Sequence, residues 1–272
     1  MVHFVVALAC EARPLIAHYR MKVISSTDAF RMYAGEQAAL VVSGVGKIAS
    51  ASATAYRYGT AGDPGDRKGA WLNVGVGGHG TCDVGLGVLA HKVTDSATGR
   101  SWYPPFVFGV PCRTAPLLTV DSPTVEYEKE WIYDMEGAGF YAAASRFQTA
   151  ELIHCYKIVS DNRALPAKKL TPEFVGRLVE DRLENIDAIV GRLSALAKEL
   201  EVLESVPSEL PMFLDRWHFS VTERRGLERL LRRLNTLVPG SSAWTPDLDG
   251  LKQGQDVLAH LERRIAGIPV RL

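Results

Sequence analysis

The chain has 272 residues, of which 47% are hydrophobic and 23% are charged, a balance typical of a globular protein with a sizeable core. Its 31 basic and 31 acidic residues give a formal net charge of +0, which offers no general attraction to nucleic acid or anionic membranes. No apolar run approaches the roughly 18 residues of a membrane span, and the four scattered cysteines are expected to be reduced thiols. These features predict a cytoplasmic protein with neither a membrane span nor a nucleic-acid partner.

The first half of the chain alternates buried-strand and helix patterns. Residues 3–9 form a continuous apolar, β-branched run, which is typical of a strand buried on both faces rather than of a signal peptide. Residues 11–19 follow with helical character. Residues 38–42 and 70–76 read as two more strands, with a helix of small residues predicted over 48–58.

The second half continues the same alternation. Residues 84–92 indicate a returning strand, and residues 117–120 and 153–159 indicate two further strands. Helices are predicted over residues 136–146 and, as one long amphipathic element, over 171–203. Strands alternating with helices predict an α/β fold with a mostly parallel, twisted central sheet flanked by helices.

The alternation weakens after Val206 and Pro207. The remaining sequence indicates helices over residues 221–237 and 251–266, separated by a turn region rich in Pro, Gly and Ser. We therefore expect an α/β domain over residues 1–205 and a small helical appendage over residues 206–272.

Two glycine-rich segments match nucleotide-binding patterns only formally. Residues 75–80 (GVGGHG) fit GxGxxG, but the residues that follow indicate loop and strand instead of the helix that must receive the phosphate. Residues 43–47 (SGVGK) resemble a phosphate-binding loop, yet Val41 and Ile48 replace its required Gly and its Ser or Thr. The sequence therefore predicts no nucleotide cofactor, and both segments are interpreted as turns.

Two further patterns lack the partners that their chemistry needs. Residues 160–162 (SDN) match an element of the serine β-lactamases, but no convincing SxxK or KTG accompanies them. His79, Cys82 and His91 fit no standard zinc spacing, so no metal site is predicted.

Three acidic residues remain as candidates for chemistry. Glu11 follows the first predicted strand and Asp161 follows the strand at 153–159, so both reach the carboxyl edge of the sheet, where open α/β sheets bind ligands. Glu136 lies in a helix of small residues. The pattern favours a shared site, the alternative for each acid being a solvated charge or a helix cap.

Five motifs in order resemble those of the nucleoside phosphorylase and nucleosidase superfamily. They are ALACEARPL at 7–15, SGVGKIA at 43–49, LNVGVGG at 72–78, YDMEG at 133–137 and IVSD at 158–161. The closest likeness is to the methylthioadenosine/S-adenosylhomocysteine nucleosidases, and it covers roughly the first three-quarters of the chain.

The resemblance implies roles for the matched positions. Glu11 falls on the glutamate that activates water, and Asp161 falls on the acid that protonates the purine at N7, with Ser160 beside it. Met135 and Glu136 fall on the pair that embraces the ribose. Two glycines match the backbone that approaches base and sugar, Gly77 and Gly78.

The predicted function is hydrolysis of a purine nucleoside, of the adenine type by analogy, by a homo-oligomer with a dimer favoured. Val76 replaces a serine that is frequent in the nucleosidases, and Arg13 is the one cation near the first motif, which favours water over phosphate as nucleophile. The alternatives are a phosphate-dependent phosphorylase and a non-catalytic nucleoside-binding or interaction protein.

The base-binding segment departs most from the family. Residues 101–121 are compact and rich in proline, where relatives carry longer loops. Trp102, Tyr103, Phe106 and Phe108 are candidates for stacking on a base, the alternative being ordinary core packing.

Overall fold

The computed structural model describes residues 1–26, 29–61, 69–124, 126–165, 170–204, 206–238 and 248–269. The chain divides into two compact units, Met1–Lys198 and Glu199–Leu272. The larger unit is a central sheet with flanking helices, so the predicted α/β class is confirmed. Among the helices of the described residues, none is long and apolar enough to cross a membrane.

The strands in chain order are β1 (Val2–Val6), β2 (Lys22–Ser26), β3 (Arg31–Ala34), β4 (Ala38–Val42), β5 (Ala70–Gly78), β6 (Gly87–Asp95), β7 (Ser101–Trp102), β8 (Arg113–Thr119), β9 (Ile132–Asp134) and β10 (Ile153–Asp161). The helices are α1 (Ala9–His18), α2 (Lys47–Thr60), α3 (Gly137–Ala144), α4 (Pro172–Glu180), α5 (Leu183–Glu204), α6 (Leu210–Arg216), α7 (Val221–Leu237) and α8 (Gly254–Ala266). A short 3-10 turn, Ala150–Leu152, precedes β10.

Five strands of the larger unit close into a barrel. Strand β5 pairs with β10, β10 with β6, β6 with β8, and β8 with β9. The ring closes where Gly78 of β5 pairs with Tyr133 of β9. Strands β1, β4, β3 and β2 extend the sheet from the other edge of β5.

The expected predominance of parallel strands is not confirmed. Parallel pairs join β1, β4, β5 and β10, and another parallel set joins β6, β8 and β9. The two sets run in opposite directions where β10 meets β6 and where β5 meets β9. The chain reverses directly from β5 into β6, so the described sheet is mixed.

The arrangement gathers the sequence motifs at one edge. Strands β1, β5 and β10 are parallel neighbours, so their carboxyl ends lie together. Helix α1, which carries Glu11, starts just after β1, and Asp161 ends β10. Small residues let α2 and α3 approach closely: a Cβ on Gly139 would lie 2.7 Å from the carbonyl carbon of Lys47.

The helix expected as one element over residues 171–203 is two helices, α4 and α5. The break falls at Asp181 and Arg182. The guanidinium of Arg182 donates from Nε to the carbonyl of Gly85 at 2.6 Å, which ties this turn to the connection between β5 and β6. A tertiary hydrogen bond of this kind leaves no signature in the hydrophobic pattern.

The smaller unit has its own apolar core. Helix α7 contributes four buried leucines, and α6 and α8 supply the surfaces against which they pack. Ser220 caps α7 by accepting a hydrogen bond from the Glu223 amide at 3.3 Å, while the Glu223 carboxylate accepts from the Ser220 amide at 2.8 Å.

Candidate active site

Glu11 lies in the first turn of α1 and is 2% exposed. Its carboxylate accepts two backbone hydrogen bonds, Oε2 from the Leu8 amide at 2.9 Å and Oε1 from the Val76 amide at 2.8 Å. Burial raises the pKa of Glu11 from its ordinary value near 4.5 to about 7, although the Val76 amide and the Lys157 ammonium act in the opposite direction. Glu11 therefore exchanges a proton near neutral pH.

Glu136 lies just before α3 and is 6% exposed. Its Oε1 accepts from the Gly46 amide at 2.8 Å, and its Oε2 accepts from the Met135 amide at 3.3 Å. Gly46 has a φ of 103°, in the left-handed region that favours glycine. Burial raises the pKa of Glu136; the Asp134 charge acts in the same direction and the Lys157 charge opposes it.

A buried cation, Lys157, supports these carboxylates from the middle of β10. Its Nζ lies 2.8 Å from Oδ2 of Asp134, and the lysine side chain is 2% exposed. Burial alone lowers the pKa of Lys157, but the Asp134 and Glu136 carboxylates outweigh it and raise that pKa above its ordinary value. Lys157 therefore stays charged and lowers the pKa of both Glu11 and Glu136.

Asp134 also fixes the start of α3. Its Oδ2 accepts from the Gly137 amide at 2.8 Å, and its Oδ1 accepts from the Thr119 hydroxyl at 2.6 Å. The same hydroxyl oxygen accepts from the Ala138 amide at 2.9 Å. These bonds satisfy the first free amides of the helix, and they hold Glu136 at its amino end.

Asp161 ends β10 and is 5% exposed. Its Oδ1 accepts from the Ser160 hydroxyl at 2.6 Å, and its Oδ2 accepts from the hydroxyl of Tyr127. Asp161 pairs with Gly78 of β5 after a register shift that follows Val159. This irregularity places Asp161 beside the glycines of β5.

The structure gathers the predicted residues around the end of β5. Glu11 and Glu136 are within electrostatic reach of each other, since the Glu136 charge also raises the pKa of Glu11. A Cβ on Gly77 would lie 2.7 Å from the Tyr133 carbonyl oxygen, and one on Gly78 would lie 2.7 Å from ring carbons of Tyr127. Both glycines therefore admit protein groups at close range.

Met135 is half-buried beside Glu136, and Ser160 is buried against Asp161. Contacts of these two residues, and of Gly77 and Gly78, with a nucleoside stay predictions.

The aromatic residues proposed for base stacking lie elsewhere. Phe106 and Phe108 pack around His154, at the start of β10 and thus at the opposite end from Asp161. The Trp102 ring packs at 5.8 Å from Tyr141. Tyr103 is 66% exposed. Core packing, the alternative stated for this group, is what the structure shows for Trp102, whereas Phe106 and Phe108 are half-buried beside His154.

Sequence reasoning missed three residues of the site: Lys157, Asp134 and Tyr127. A lysine inside the apolar run at residues 153–159 is a signal of a buried charge, because lysine is rarely buried without a partner. Tyr127 has no comparable signal, since it stands among Glu126, Glu128 and Glu130, outside every predicted strand and helix.

Comparison with solved structures shows the fold of the nucleosidase class. The fold is shared with 5′-methylthioadenosine nucleosidase of Arabidopsis thaliana, at a TM-score of 0.57 and 16% identity over 70% of this chain and 95% of that one. For a Colwellia psychrerythraea 5′-methylthioadenosine/S-adenosylhomocysteine nucleosidase in complex with adenine, the TM-score is 0.58 and the sequence identity is 17%. The match covers 71% of this chain and 95% of that one. For the S. pneumoniae enzyme with a transition-state inhibitor, the TM-score is 0.57 and the sequence identity is 18%. The match covers 70% of this chain and 97% of that one.

No protein-family model and no curated protein matches the chain. The resemblance inferred from the motifs is thus confirmed at the level of the fold, by structure and not by sequence identity.

Proposed function

We propose that the protein hydrolyses the N-glycosidic bond of an adenine nucleoside and releases the free base. The observation that carries this proposal is a cluster of three acidic side chains. Glu11 has a pKa near neutrality, Glu136 is a second buried carboxylate, and Asp161 lies at the end of β10. The shared fold with nucleosidases that bind adenine or a transition-state inhibitor supports it.

Departure of the base needs a proton. As the bond between the sugar C1′ and the base nitrogen breaks, its electron pair moves onto the purine, and Asp161 donates a proton to the purine at N7. General-acid catalysis of this kind contributes typically ~10²–10⁴-fold. The positive charge that develops on the sugar is stabilised by Glu136, whose position is fixed by the Gly46 amide.

Glu11 completes the reaction on the sugar. A water attacks C1′, a new C–O bond forms, and ionised Glu11 takes the proton that the water loses. The pKa near 7 suits this role, because a base of that strength is both available at neutral pH and able to accept a proton. Exchange with solvent then returns the proton from Glu11 to the bulk and restores that of Asp161.

The charges of the site favour water over phosphate. At about 4 Å, two like unit charges repel by ~4 kcal/mol at an effective dielectric of 20. Lys157 is already bonded to Asp134, and Arg13 is exposed on α1. A phosphate beside Glu11 and Glu136 therefore meets repulsion that Lys157, already paired with Asp134, offsets only in part.

The test is a panel of 5′-methylthioadenosine, S-adenosylhomocysteine, adenosine and inosine, with free base measured by liquid chromatography. We expect adenine from at least one adenine nucleoside, a loss of about 10²-fold or more in Asp161→Asn, and native rates in the exposed control Asp181→Asn. Absence of base release from every nucleoside, both with and without inorganic phosphate, would favour the non-catalytic binding alternative. Homo-oligomer formation and cytoplasmic location stay predictions, the first of which light scattering tests.

A further inference from the structure

Tyr127 closes off the acid of the proposed site. It lies in the connection between β8 and β9, is 4% exposed, and donates its hydroxyl hydrogen to Oδ2 of Asp161. The other carboxylate oxygen, Oδ1, already accepts the hydroxyl of Ser160 at 2.6 Å. Both oxygens of Asp161 are therefore occupied by protein hydroxyl groups.

The phenol ring fills the space beside the end of β5. A Cβ on Gly78 would lie 2.7 Å from Cε1 and Cζ of Tyr127, closer than real side chains come. Glycine at this position thus makes room for the ring. Gly78 is also the residue that pairs with Asp161, so the ring covers the surface next to the acid.

Several hydrogen bonds hold this connection in place. The Arg163 guanidinium donates to the Tyr127 carbonyl at 2.7 Å, and the Thr81 hydroxyl donates to Glu130 at 2.5 Å. The Tyr133 hydroxyl accepts from the Lys129 amide at 3.0 Å. The placement of Tyr127 is therefore built into the fold.

A general acid must come within hydrogen-bond distance of the atom it protonates. Ser160 precedes Asp161 on the same strand and occupies Oδ1, which leaves Oδ2 for a purine nitrogen. The Tyr127 hydroxyl stands at that oxygen. Burial raises the pKa of Tyr127, as does its hydrogen bond to Asp161, so the phenol stays a proton donor at neutral pH.

We infer that Tyr127 occupies the place of the purine beside Asp161 in the free protein, and that its displacement determines which ligands reach the acid. The inference rests on the proposed function. Because only the displaced form binds the base, the apparent affinity for a purine is lowered by the fraction of molecules in that form. Removing a hydrogen bond that keeps Tyr127 in place should therefore lower the Kd of a purine. A variant that merely disrupted the fold would raise that Kd.

The test measures the Kd of adenine by calorimetry in the native protein, in Tyr127→Phe and in the control Tyr156→Phe. Tyr156 is buried on β10, and its hydroxyl has no hydrogen-bond partner among the described residues, so its loss removes no bond that holds Tyr127. We expect Tyr127→Phe to bind adenine about tenfold tighter or more, since it loses a hydrogen bond to a carboxylate. The control should keep the native Kd.

A second variant covers the case in which Tyr127→Phe does not fold. Arg163→Met removes the hydrogen bond to the Tyr127 carbonyl and keeps the phenol, and it should also tighten adenine binding, by a smaller factor. Equal or weaker binding in the folded variants, or equal tightening in Tyr156→Phe, would overturn the inference while leaving base release intact. Absence of both adenine binding and base release in all proteins would overturn the proposed function together with it.

Discussion

The raised pKa of Glu11 makes a quantitative prediction about stability. The folded protein binds a proton at Glu11 with a pKa of about 7, whereas the unfolded chain binds it near 4.5. Stabilisation by this proton is fully present below pH 4.5 and is lost as the pH rises through about 7. At about 1.4 kcal/mol for each pKa unit, the loss is about 3 kcal/mol.

Glu11→Gln removes this titration. The amide keeps one acceptor for the Val76 or Leu8 amide and loses the other, which shifts stability by a constant amount at every pH. The difference in free energy of unfolding between variant and native protein should therefore change by about 3 kcal/mol in favour of the variant between pH 4.5 and pH 8.

The assay is urea unfolding followed by tryptophan fluorescence across that pH range. Glu180→Gln, which makes the same change of charge at an exposed position, should differ from the native protein by a constant amount. A pH-independent difference for Glu11→Gln as well would refute the buried, proton-binding environment assigned to Glu11.

Three further predictions concern the same cluster. If Glu11 is the base, kcat/KM should fall about tenfold for each pH unit below about 7; a rate that is level down to pH 5 would exclude that role. Glu136→Gln should lower kcat more than it raises KM, because positive charge develops only as the bond breaks; a change confined to KM would make Glu136 an ordinary binding residue. Lys157→Met should lower the free energy of unfolding by about 3–5 kcal/mol, since it leaves the Asp134 carboxylate buried without its cation. The double variant with Asp134→Asn should cost less than the sum of the single variants in urea unfolding, and strict additivity would contradict the pairing.

Local patterns of the fold were predictable because their causes are local. The apolar run at residues 3–9 overlaps β1 over residues 3–6, and the run at 153–159 lies within β10, because a strand buried on both faces needs no polar alternation. The short strands β7 and β9 were missed, since two or three residues carry no period. Closure of the barrel depends on pairing between Gly78 and Tyr133, which are distant in sequence, and no local pattern encodes it.

The candidate site likewise contains residues that local sequence patterns predict and residues that they do not. Glu11 and Asp161 follow strand patterns directly, so their place at the sheet edge could be inferred. The partners that set their chemistry come from other parts of the chain: Lys157 by burial against Asp134, and Tyr127 from the connection between β8 and β9. Contacts of this kind depend on tertiary packing.

The identity of the sugar product tests the central claim most directly. The native protein is incubated with an adenine nucleoside that it cleaves, with and without inorganic phosphate, and the sugar is identified by mass spectrometry. The account predicts free sugar in both reactions, at equal rates, with Glu11→Gln losing most activity while it still binds the nucleoside. A sugar 1-phosphate that forms only when phosphate is present would contradict hydrolysis and assign the protein to phosphate-dependent cleavage.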